Sequence, residues 1–128
     1  MSMRATSGIS KAAKCAAPIA AAYTIAAFGA DDNTFSVAAG STAALVGIFQ
    51  STTVNAGDHV EVMVTGISNV VLGGTVTRGD YLTSDANGNG PTAAPAAGVN
   101  ADVIGIALES GVLSDIIAVR LAPGRIQG

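Results

Sequence analysis

The chain has 128 residues, a formal net charge of −3, 49% apolar residues, 4% aromatics and no tryptophan. That length fits one domain. The acidic balance lacks the basic face by which nucleic-acid binders announce themselves, and one cysteine excludes both an internal disulfide framework and a thiolate zinc site. Much of the apolar share is alanine, which brings far less transfer energy than the roughly 1.5–3 kcal/mol of a buried Val, Leu or Ile. The core is therefore expected to be thin and to be completed by neighbouring copies of the chain.

Residues 1–18 are small, polar and basic, with neither a helical nor a strand period, and read as an extended N-terminal arm ahead of a β-domain over 19–128. Arg4, Lys11 and Lys14 before AAPIAAAYTIAAFGA imitate a secretory leader. Pro18, Tyr23 and Thr24 interrupt the apolar run, and Lys14 spoils a lipoprotein box before Cys15. No run reaches the roughly 18 apolar residues of a membrane span, so the chain is expected to be soluble and intracellular when made. Cys15 has no His or second Cys near it in sequence and reads as a small buried residue.

From Tyr23 the pattern changes to short strands. YTIAAFG puts Tyr23, Ile25 and Ala27 on one face, and Asp31-Asp32-Asn33 make a turn. Phe35 and Val37 share a face, Gly40-Ser41-Thr42 turns again, and ALVGIFQ reads as a buried strand because Val46, Gly47 and Ile48 favour extension over a helix. HVEVMVT alternates most clearly, Val60, Val62 and Val64 against His59, Glu61 and Met63, launched by Gly57-Asp58 and ended by Gly66. SNVVLGG, TVT and YLTSD repeat the rhythm at the spacing of a small sandwich or barrel. The loop from Asp85 to Gly98 is long enough to cover an edge or a neighbour. Ile104, Ile106 and Leu108 are expected on one face, as are Ile117, Val119 and Leu121. The fold class is all-β: a small β-barrel or β-sandwich-like body.

Residues that could carry chemistry are few. DANGNG at 85–90 matches the first half of a calcium loop, but Ala96 stands where the bidentate Glu belongs, and a hairpin turn explains Asp, Asn and Gly equally well. GNGPTA at 88–93 matches a dinucleotide fingerprint only superficially, since Pro91 and Pro95 sit where its helix would run. His59 would need a nucleophile and an orienting acid, and adjacent Asp58 points to the opposite face of a strand. Arg78-Gly79-Asp80 spells an adhesion tripeptide too short to specify anything. No catalytic, metal or cofactor site is expected, nor a small-molecule substrate or a membrane partner.

The strands and turns, taken in order, resemble those of tailed-bacteriophage capsid decoration, or cement, proteins. The matching stretches are the arm up to FGADD, then AGDHVEVMVTG, GGTVTRGDYLTSDANG, AAPAAGVNADVIGIALESG, DIIAVRL and APGRIQG, together spanning essentially the whole chain. The resemblance implies a virion structural protein on the outer capsid surface, made in the host cytoplasm, partnered by the major capsid protein and acting as a homotrimer. On that reading Met3, Arg4, Ile9, Lys11 and Lys14 of the arm contact the coat. The alternative is a virion-displayed module that binds host carbohydrate or another host surface.

Overall fold

A computed structural model describes residues 7–128. Its strands are β1 (Ser7–Cys15), β2 (Ile25–Phe28), β3 (Thr34–Val37), β4 (Leu45–Phe49), β5 (His59–Val71), β6 (Tyr81–Leu82), β7 (Asn100–Ala107) and β8 (Ile116–Gln127). They join in the order β1-β3-β2-β4-β5-β8-β7-β6, and a further β1–β5 pairing closes the first five strands into a barrel. The described residues contain no helix, and the all-β expectation holds.

β1 changes the expected boundary of the arm. From Ser7 to Lys14 it pairs antiparallel with β5, with Ser7 opposite Ile67 and Lys14 opposite His59. On its other side it pairs parallel with β3 at Lys14 and Cys15. Residues 7–15 are thus a wall of the barrel rather than an appendage. The sequence hid this because Gly8, Ser10 and Ala12 give no alternation, while the backbone pairs regardless of side chain.

β5 is the spine. Val62 and Met63 pair with β4, and Gly66 to Val71 pair with β8. Gly66, expected to end the strand, is passed at φ 96°, a conformation that glycine adopts without steric cost. Beyond it β5 pairs with β8, so the β5-β8-β7-β6 part forms a second sheet that shares β5 with the barrel.

Two cores result, separated by a shared wall. Ala13, Cys15, Ala26, Phe35, Phe49, Val60 and Val62 fill the barrel. Ile25, Ala27, Leu45, Ile48 and Met63 face the other way and meet Val70, Leu72, Leu82, Ile104, Ile117, Val119 and Leu121 of the second sheet. Successive strand residues point to opposite faces, so β2 and β4 serve both cores at once. The close approach this needs is visible at Gly47, where an added Cβ would collide with the carbonyl oxygen of Met63 and come within 2.8 Å of Val62.

The turn at 85–90 locks the two parts together. Asp85 Oδ1 accepts the amides of Asn87 at 2.8 Å and Asn89 at 3.0 Å. Gly88, at φ 78°, offers its carbonyl to the amide of Ile25 in β2 at 2.7 Å, and Gly90 donates to Val71 of β5 at 2.8 Å. The following stretch covers an edge, as its length suggested. Thr83 donates to the Pro91 carbonyl and Ala93 to that of Tyr81, which shields β6.

One facial assignment changes. The β7–β8 register is irregular between Val103 and Gly105, where two residues of β7 face three of β8. Ile104 stays in the core, but Ile106 lies opposite Arg120 on the outer face, and Leu108 is 44% exposed.

Candidate functional site

Of the residues expected on the arm, Met3 and Arg4 lie outside the described residues. Ile9 is 66% exposed, and Lys11 and Lys14 are exposed too. β1 does not gather them on one face. Lys14 stands opposite His59 on the outer wall, beside the Ala12–Glu61 pair. Lys11 stands opposite Val62, whose side chain is inside the barrel. Lys11 is nonetheless exposed, so it and Lys14 do not form one patch. Phe28 of β2 is 59% exposed and makes an edge-to-face contact with Phe35 of β3 at 5.6 Å between centroids.

A second surface was not read from the sequence. On one face of the second sheet, Ile67 and Val71 of β5 lie opposite Arg120 and Ile116 of β8, Ile106 of β7 extends the row to Tyr81 of β6, and the Asn69–Ala118 pair between them is buried. Tyr81 is 45% exposed. The clue was that Val70-Val71 and Ile116-Ile117-Ala118 are apolar at both parities, so each strand has an apolar side chain on both faces. The buried Asn69 Oδ1 has no hydrogen-bond partner.

A third feature is a groove. One recess of about 360 Å³ is lined by Ala44, Leu45, Asp102, Pro123, Gly124 and Arg125. A smaller one of about 120 Å³ shares Asp102 and Arg125 and adds Ser41, Thr42 and Asn100. Arg125 Nε donates to Asp102 Oδ1 at 2.6 Å. That bond, and then the attraction of the carboxylate, raise the guanidinium above its ordinary pKa. Asp102 is held further by its backbone, the amide donating to Ser41 and the carbonyl accepting from the Thr83 hydroxyl at 2.7 Å.

The residues weighed for chemistry fall into structural places. Cys15 is buried, its Sγ 3.2 Å from Thr53 Oγ1 and 3.3 Å from the Asn55 carbonyl. His59 is exposed, while Asp58 accepts from the amides of Val54 and Asn55 in the preceding turn. Asp80 of the Arg-Gly-Asp turn spends Oδ2 on the Thr77 amide and the Thr92 hydroxyl, both at 3.0 Å. Among the described residues no group of three or more His, Cys, Asp or Glu converges as metal ligands would.

The fold has a solved counterpart. The chain is similar to the crystal structure of the N base of the head fibre protein gp8.5 of bacteriophage phi29, with a TM-score of 0.65 and 20% identity. The match covers 94% of this chain and 98% of that one. At this identity the likeness concerns the fold, and its coverage takes in barrel and second sheet together, so the two-core arrangement is one unit. No family model matches the sequence, and no curated protein does.

Proposed function

We propose that this protein is a virion structural protein that sits on the outside of a phage head, bridges neighbouring major coat proteins and stabilises the shell without catalysis. The observation that carries the reading is the likeness in fold, over nearly the full length of both chains, to the base of a phage head fibre. The decoration-protein resemblance of the strand and turn sequences points the same way. What the molecule offers is surface: exposed Ile9, Lys11 and Lys14 on β1, and the Tyr81–Ile106–Arg120 row on the second sheet. A clamp that holds several coat subunits at once gains about 10²–10⁴-fold in avidity without any single strong contact. Three-fold self-association would let each copy make the same coat contact.

The test is addition of the purified protein to heads that lack it, followed by sedimentation. Saturation at a fixed number of copies per head, lost on combining Lys11→Glu with Lys14→Glu, is the expected result. Binding that never saturates, or that ignores both charges, would remove the assignment of the β1 surface.

A second reading, a displayed module that binds host carbohydrate, is favoured by the groove, whose Ser41, Thr42, Asn100 and Asp102 are the donors and acceptors that sugar hydroxyls need. A glycan array tests it, and specific binding abolished by Asn100→Ala would establish it.

A further inference from the structure

We infer that Asn87 is a site of spontaneous chemical modification, losing its side-chain amide through a cyclic imide that the fold permits at Asn87-Gly88 and denies at Asn89-Gly90. Both pairs place glycine after asparagine, so no side chain screens the attacking nitrogen. Asn33, Asn55, Asn69 and Asn100 are followed by Thr, Ala, Val and Ala, which do screen it. In the reaction Gly88 N bonds to Asn87 Cγ, the Cγ–Nδ2 bond breaks, and ammonia leaves with the proton that Gly88 N gives up. Water then opens the ring at one of its two carbonyls. One product is aspartate, and the other is isoaspartate, in which the main chain runs through Cγ. Water is the only co-reactant.

The two sites differ in how firmly the attacking nitrogen and the attacked carbon are held. The Gly88 amide makes a long bond, 3.3 Å to the Asp85 carbonyl inside its own turn, whereas the Gly90 amide is tied to Val71 of β5 at 2.8 Å. Asn87 is exposed, and among the described residues no hydrogen bond holds its side chain, so Cγ is free to swing towards Gly88. Both glycines are buried, Gly88 against Val37 and Thr24 and Gly90 near Val70 and Leu82, so the contrast lies in the amide bonds and in the asparagines, of which Asn89 is half-buried and Asn87 exposed. The product matters to the fold, because isoaspartate lengthens the main chain beside the Gly88 carbonyl that binds Ile25.

The experiment incubates the folded protein and a urea-unfolded sample at mildly alkaline pH. Peptide mapping by mass spectrometry follows, with isoaspartate read by enzymatic methylation. The expected result is conversion at Asn87 with Asn89 intact in the folded protein, and conversion at both in the unfolded one. Asn87→Gln, which cannot close the same five-membered ring, is expected to abolish the folded-state signal while the melting curve stays in place. An intact Asn87 in the folded sample, equal conversion at both sites, or a signal that survives in Asn87→Gln would overturn the inference.

Discussion

Arg125 is bound through Nε to Oδ1 of Asp102 at 2.6 Å, although its own side chain is 66% exposed and that of Asp102 only 10%. The pair spans the β7–β8 register, in which the two residues are direct partners. Removing the arginine leaves a nearly buried carboxylate without its counter-ion, which costs more than deleting both groups. Arg125→Ala is therefore expected to melt at a lower temperature than the double variant Asp102→Ala/Arg125→Ala. Because the guanidinium pKa is raised in the folded state, its contribution is complete below the unfolded value and is lost only as pH climbs through the higher folded one. The difference in melting temperature between wild type and Arg125→Ala should thus stay constant from neutral to mildly alkaline pH.

Gly47 has no room for a side chain, because an added Cβ would strike the Met63 carbonyl and crowd Val62. Gly47→Ala should lose about 1–3 kcal/mol through forced separation of β4 and β5. Gly40, with nothing within 4 Å of its added Cβ, should tolerate alanine to within about 0.5 kcal/mol. Urea melts of the two variants side by side check this.

Asn69 is 7% exposed and its Oδ1 is unpaired. An apolar replacement removes a desolvated acceptor that returns no bond. Asn69→Val, which also suits a strand, is expected to leave the thermal midpoint unchanged or raise it. A clear fall would show that the carboxamide has a partner.

Deleting residues 7–15 would remove the strand that closes the barrel, along with the buried side chains of Ala13 and Cys15. The expected outcome is loss of the cooperative melting transition and not a folded body that merely fails to bind. Lys11→Glu and Lys14→Glu, both on exposed positions, should keep stability within about 0.5 kcal/mol. For that reason point substitutions, not truncations, are the right probe of the β1 surface.

The parts legible in the sequence were those with a period. The Val60/Val62 alternation, the Phe35/Val37 face and the Ile117/Val119/Leu121 face all appear where alternation puts them. The turn at 85–90 and the edge cover after it were likewise foreseeable from Gly, Asn and Pro. Three features were not. β1 is a strand by virtue of its neighbours' hydrogen bonds, not its own side chains. Ile106 pairs with exposed Arg120 past an irregular stretch of the β7–β8 register, which no local composition marks. The Asp102–Arg125 groove joins residues that are 23 apart, and only the β7–β8 register brings them together.

Because β2 and β4 present one face to each core, neither half of the molecule owns its own boundary. Excising the barrel would strip the second sheet of its floor, and excising the sheet would leave greasy strand backs in water. Thermal and chemical denaturation should therefore register as one event whichever half carries the probe. A spectroscopic label beside Phe35 and another beside Leu82 would lose their signals together.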